Sequence, residues 1–176
     1  MTSSTDRIER SILLKADASR VWHALSDAES FGSWFGVKFD SGVVFAPGRR
    51  AQGHVTYPGY EHIVFAVQIE RMEPKRLLSW RWHPAAVEPG RDYSDEPTTL
   101  VVFELKPVED GTLLTIVESG FDQIPPQRRL EAFRMNSGGW DEQMRNIASH
   151  VAVPHEPCPT CGRAPRYLPR SAMKPA

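Results

Sequence analysis

Long apolar runs are missing from this sequence. None approaches the roughly 20 residues that a membrane helix requires, so insertion into a bilayer is not expected. An excess of one charge is missing too: 21 Lys and Arg stand against 22 Asp and Glu, a formal net charge of -1. That balance gives no bulk attraction to nucleic acid or to an anionic membrane. The first ten residues are polar and lack the apolar core of a signal peptide. With 2 cysteines in 176 residues, the expectation is a cytoplasmic protein whose thiols are reduced. No glycine-rich loop follows a strand and opens a helix, so a nucleotide site is unsupported. No Ser-His-Asp or Cys-His arrangement has the spacing or local motif of a triad.

What is present is a change of period along the chain. Ile8–Lys15 reads as a strand. A short helix follows through Leu25, capped by Asp17 or Ser19, with Val21, Trp22 and Leu25 inward. A second short helix spans Ala28 to Trp34 behind the cap Asp27, limited by Gly32 and Gly36. The pattern then becomes one of alternation. Val43 and Phe45 precede the turn Ala46-Pro47-Gly48. Ala51, Gly53, Val55 and Tyr57 form one face, then Ile63, Phe65, Val67 and Ile69, then Leu78, Trp80 and Trp82. After a loop rich in Pro, Gly and Asp from Pro84 to Pro97 come Thr99, Val101, Phe103 and Leu105. Asp110-Gly111 turns the chain into Leu114, Ile116 and Glu118. Alternation with one wetted face predicts antiparallel strands.

From Gln127 to Val151 the residues Leu130, Phe133, Trp140, Met144, Ile147 and Val151 recur at steps of three, four and seven. That spacing predicts one long amphipathic helix, started by Pro125-Pro126. With no second long helix to meet it, this helix is expected to pack on the sheet, giving an α+β fold. Gly138-Gly139 in its middle costs about 1 kcal/mol per glycine relative to alanine; close approach to the sheet or to a ligand would compensate, and a kink is the alternative. The domain is expected to cover residues 1–152, and a tail rich in Pro, Arg and Cys residues 153–176.

Several segments in this order resemble a known family. They are Ala18-Ser19-Arg20-Val21-Trp22-His23-Ala24-Leu25, Trp34-Phe35, Glu73-Pro74 followed by Leu78 and Trp82, Glu118-Ser119-Gly120-Phe121, and Gly138-Gly139-Trp140. The layout is similar to the helix-grip fold of the START-like (SRPBCC) superfamily, shared by START domains, birch-pollen-allergen-like proteins and polyketide cyclases. The closer resemblance, over about residues 6 to 152, is to the family named after the C-terminal domain of the activator of the Hsp90 ATPase. It implies a curved antiparallel sheet wrapped around the C-terminal helix, two short helices after strand 1, and an internal cavity. It implies much less about activity, because fold does not fix function. Nothing resembles the separate N-terminal domain of the co-chaperone.

Trp34, Phe45, Tyr57, Phe65, Trp80, Trp82, Phe103 and Trp140 all fall on faces read as inward. Together they could hold a flat apolar guest, or each could simply fill the core. Glu118 shares the inner face of Leu114 and Ile116. Burial there is costly for a carboxylate unless it is paired. It could orient a ligand's hydroxyl or amine, or act as a general base. Alternatively it sits at the strand end and reaches water or an arginine such as Arg128 or Arg134. His54 and His62 read as surface residues; His83 ends the tryptophan strand beside Pro84 and could line the cavity mouth, a lone titratable residue being weak evidence.

In the tail, Cys158-Pro159-Thr160-Cys161-Gly162 has the form of a zinc-knuckle turn. His155, Cys158 and Cys161 would be its local ligands; inert reduced thiols and a reversible disulfide are the other readings. No cofactor is otherwise required. Three functions follow: a protein binding a small hydrophobic molecule without catalysis, a protein-interaction module related to chaperone assistance or regulation, and a cyclase- or hydrolase-like enzyme using Glu118; the expected partners are a small hydrophobic molecule and a protein partner or a second copy in a homodimer.

Overall fold

The computed structural model describes residues 6–152. Its elements follow from local signals. β1 (Arg7–Leu14) leads into α1 (Ala18–Ser26), where the Asp17 side chain accepts a hydrogen bond from the Arg20 amide. α2 (Ala28–Phe35) starts on Asp27, which caps the Ser30 amide in the same way. An N-terminal carboxylate cap satisfies an amide that the helix itself leaves unpaired. α2 ends on Gly36 at φ 89, a left-handed conformation that glycine adopts without a Cβ penalty.

Six strands follow: β2 (Val37–Phe39), β3 (Arg50–Val55), β4 (Val64–Glu73), β5 (Leu77–Trp82), β6 (Thr99–Val108) and β7 (Gly111–Ser119). They join β1 in one antiparallel sheet of order β1-β7-β6-β5-β4-β3-β2. The register shifts between Ile69 and Arg71, and such an extra residue adds local bend and twist. The inner face alternates as the sequence predicts: Phe65, Val67 and Ile69 on β4, Val101, Phe103 and Leu105 on β6, Leu114, Ile116 and Glu118 on β7 are buried. A 3-10 turn, Phe121–Gln123, then delivers the chain to α3 (Pro126–Ala152). α3 lies against β1, α1 and α2. This is the curved sheet and long helix of a helix-grip-like α+β fold.

Three expectations change. Val43 and Phe45 belong to a loop; the strand that precedes it is the short β2. Tyr57 lies beyond the end of β3, buried beside Val55. Leu130 is 53% exposed and not part of the buried stripe. The buried positions of α3 are Arg128, Ala132, Trp140, Gln143, Met144, Ile147 and Val151. Leu130 is two residues from both Arg128 and Ala132, which places it on the opposite side of the helix.

One substitution should run against helix propensity. A Cβ on Gly32 would stand 2.1 Å from the carbonyl oxygen of Val37. Alanine is the better helix former by about 1 kcal/mol, yet Gly32→Ala is expected to lower stability by about 2 kcal/mol, because the obstacle is backbone. Urea unfolding checks this, and a stabilised variant would contradict it.

Candidate functional site

Glu118 is fully buried near the end of β7. Three adjacent strands carry the first part of its surroundings. Glu118 stands opposite Val101 on β6, and Thr99, two residues away on the same face, stands opposite Trp82 on β5. Thr99 Oγ1 donates to Glu118 Oε2 at 2.6 Å and Trp82 Nε1 donates to the same oxygen at 2.7 Å. α3 supplies the rest from one turn. Trp140 Nε1 donates to Oε1 at 2.8 Å, and Asn136 Nδ2 lies 2.9 and 3.1 Å from the two oxygens. Asn136 and Trp140 are four residues apart, so both point from one face of the helix.

All four partners donate, and an ionised carboxylate is an acceptor only. Among the described residues no basic side chain pairs with Glu118; Arg128, one of the arginines expected near it, pairs instead with Glu96 at 2.8 Å. Burial is the largest influence and pushes the Glu118 carboxyl above the 4.5 usual for the group, while the bonds from Thr99, Trp82, Trp140 and Asn136 pull it down. The folded state therefore holds this proton more tightly than the unfolded chain does. The corresponding stability is fully present below the ordinary value and is lost as pH rises through the elevated one. The margin of the wild type over Glu118→Gln should accordingly shrink as pH rises above the ordinary carboxyl value of 4.5. Urea unfolding at rising pH measures it, and a growing margin would contradict the assignment.

Beside this cluster is a recess of about 210 Å3 between α3 and the β2–β5 half of the sheet. Phe35, Phe65, Trp82 and Trp140 line it, and their rings form a closed circuit. The centroid separations are 5.3 Å for Phe35–Phe65, 5.9 Å for Phe65–Trp82, 5.9 Å for Trp82–Trp140 and 6.2 Å for Trp140–Phe35. Tyr57, Asn136, Gly139 and Gln143 also line it, and residues 83 and 85–87 border it. Glu118 lies behind Trp82, Asn136 and Trp140 rather than in the lining.

Of the aromatics expected at such a site, Tyr57, Phe65, Trp82 and Trp140 meet at the recess, while Trp34, Phe45, Trp80 and Phe103 do not line it. Those four are buried in the core. Trp34 donates its indole N–H to Ala24 O, Phe45 packs on Phe31 and Phe39, and Trp80 and Phe103 pack at a tilt with ring centroids 4.9 Å apart. Alternation identifies the inner face but not the position along it, and the far end of the sheet is filled by neighbours. Asn136 escaped notice in the sequence, although it precedes Trp140 by one helical turn. Phe35 escaped for want of a partner pattern.

His83 borders the recess, with Nε2 3.0 Å from Glu96 O. It belongs to a strap, residues 83–98, that Arg128 fastens to α3. Arg128 Nε is 3.0 Å from Glu96 Oε2, and Nη1 donates to Pro84 O at 3.0 Å and to Ala85 O at 3.4 Å. Its guanidinium lies 4.8 Å from the Tyr93 ring centroid. Ala85 has φ 53, a strained conformation for a residue with a Cβ, held where the latch grips. The strap also borders a wider groove of about 520 Å3, with Arg50, His62, Arg81, Glu88, Arg91 and Asp92 among its lining residues. Its rim is charged and lacks a comparable ring circuit.

His54 and His62 are exposed, as expected. The proposed zinc ligands His155, Cys158 and Cys161 lie outside the described residues. Among the described residues no three His, Cys, Asp or Glu side chains converge as a metal site would need. No helix among them is long and apolar enough to cross a membrane.

Comparison with known proteins agrees with the geometry. The family model described as "Activator of Hsp90 ATPase homolog 1-like protein" matches residues 15–152. The chain belongs to this family. No curated protein matches the chain. Among solved structures, the protein MLL2253 from Mesorhizobium loti is 23% identical, with a TM-score of 0.64 over 82% of this chain and 96% of that one. The protein NE0264 from Nitrosomonas europaea is 19% identical, with a TM-score of 0.64 over 85% and 96%. The Aha1 dimer from Colwellia psychrerythraea is 14% identical, with a TM-score of 0.60 over 84% and 96%. At these identities the likeness is one of fold, and the fold is one that typically serves binding of ligands or proteins.

Proposed function

We propose that the protein binds a compact, largely apolar small molecule in the recess beneath the strap, without catalysing a reaction on it. The observation that carries this reading is the closed circuit of Phe35, Phe65, Trp82 and Trp140 around one space. Apolar walls with a few fixed polar groups are the usual makeup of a ligand site. A volume of about 210 Å3 is below the roughly 300–1,000 Å3 typical of drug-sized guests, so the guest is small. Glu118 serves as the anchor of this wall. A general base needs a lone pair directed at the substrate, and here both oxygens are already occupied by four donors, one layer behind the lining. That argues against the cyclase- or hydrolase-like alternative.

Calorimetric titration of the full chain with indole, a small neutral aromatic, tests the proposal. Saturable one-to-one binding is expected, weakened about tenfold or more in Trp82→Ala, which removes a wall ring and one Glu118 donor. Absence of saturable binding would overturn it. A second reading, a homodimer or a docking module, is favoured by the dimeric form of the Colwellia psychrerythraea neighbour. Light scattering showing a stable dimer whose formation closes the recess to indole would support that reading over the first.

A further inference from the structure

The chemistry of the recess narrows the class of guest, resting on the reading of it as a ligand site. Three observations converge. First, Glu118 is a fully buried acidic group without a counter-ion: every contact comes from a neutral donor, and no ion pair reaches it among the described residues. Buried charges are ordinarily matched by an opposite charge. Second, the wall between Glu118 and the recess is aromatic. The two indole N–H groups point back at the carboxyl, and an N–H edge tied up in this way leaves the electron-rich ring face for other contacts. Trp82 and Trp140 are tilted by 33° with centroids 5.9 Å apart, alongside Phe35 and Phe65. A ring of aromatic faces attracts an organic cation electrostatically. Third, an acceptor is left over at the recess. Asn136 spends its Nδ2 on Glu118, which fixes the amide orientation and leaves Oδ1 as a carbonyl acceptor with no protein partner among the described residues.

We propose that the recess selects a compact organic ammonium, a positively charged nitrogen carrying small apolar substituents, over a neutral molecule of the same shape. The guest's charge would supply the counter-ion that Glu118 lacks. Its substituents would meet the faces of Trp82, Trp140, Phe65 and Phe35, and any N–H it carried would find Asn136 Oδ1.

The experiment compares choline with 3,3-dimethylbutan-1-ol, in which a carbon replaces the charged nitrogen and the shape is kept. Both are titrated into the full chain, followed by the indole N–H resonances of Trp82 and Trp140. Choline is expected to bind about tenfold or more tightly than the alcohol. In Glu118→Gln that preference, read as the ratio of the two affinities in the same variant, should fall to about threefold or less. Equal or tighter binding of the alcohol by the wild type would overturn the inference, and needs no variant to fold. If the alcohol and indole bind but choline does not, the charge preference fails and the ligand site stands. If none of the three binds, both fail. A preference for choline that survives unchanged in Glu118→Gln would also remove Glu118 from the explanation.

Discussion

Replacing Glu118 by alanine is expected to cost about 4 kcal/mol of folding stability, measured as a drop in the urea midpoint at constant slope. The residue is one carboxyl group, but four donors depend on it. Without it Trp82 Nε1, Trp140 Nε1, Thr99 Oγ1 and Asn136 Nδ2 are left in an interior that shields them from water. Each buried donor without a partner costs roughly 1–3 kcal/mol, and water entering from the recess would relieve part of the sum. Glu118→Gln should be milder, about 2 kcal/mol, because one carbonyl oxygen remains while an NH2 group meets donors. Trp80 provides the control. Its Nε1 is buried and has no partner among the described residues, so Trp80→Phe deletes an unsatisfied group and should change stability by about 1 kcal/mol or less. If Glu118→Ala were no more damaging than Trp80→Phe, the polar cluster would not be the keystone described here.

Arg128→Ala should cost about 3 kcal/mol, and its effect should be concentrated on the strap. Arg128 and Glu96 are 9% and 15% exposed at their side chains, so the pair is shielded from solvent far better than a surface ion pair. A positive charge in the first turn of α3 also opposes the helix dipole, which makes its partner more necessary. Removing the arginine leaves Glu96 with only its longer contact to Arg91 at 3.4 Å, frees the Pro84 and Ala85 carbonyls, and removes the grip on Ala85 in its strained conformation. Hydrogen exchange should therefore quicken at amides of residues 83–98 before the β6–β7 pair is affected. Because the strap borders the recess, guest dissociation should quicken too. Uniform exchange in variant and wild type along this segment would show that Arg128 does not hold it. A double-mutant cycle with Glu96→Gln should give a combined loss smaller than the sum of the two.

The parts of this account that lie on one element were legible in the sequence. Asp27, Gly36 and the spacing between them mark α2, and the strict alternation of β4, β6 and β7 puts Phe65, Phe103 and Glu118 inward. The membership of the family was legible in the same way, through Glu118-Ser119-Gly120-Phe121 and Gly138-Gly139-Trp140 in order. What lay beyond reach depended on four elements meeting. Nothing in the local pattern of Trp82, Thr99 or Asn136 says that all three face one carboxyl, since their separations in sequence are 36, 19 and 18 residues from Glu118. The split of the inward aromatics into core and lining was hidden for a related reason. It is set by how far α3 stands from the β3–β5 side of the sheet, a distance that no single strand encodes. Arg128 was one alternative partner for Glu118 because the carboxylate was read at the strand end, near Gly120; the strap, read as a loop, competes for the arginine with Glu96 and two carbonyls.

The central claim is that the four-ring circuit beside Glu118 is where a guest resides. Isotope-filtered nuclear Overhauser spectroscopy tests it directly, with unlabelled indole on the labelled protein. The account predicts contacts from the guest to ring protons of Trp82, Trp140, Phe65 and Phe35, and none to Trp34. Contacts confined to the outer groove, at His62, Arg91 and their neighbours, would contradict it.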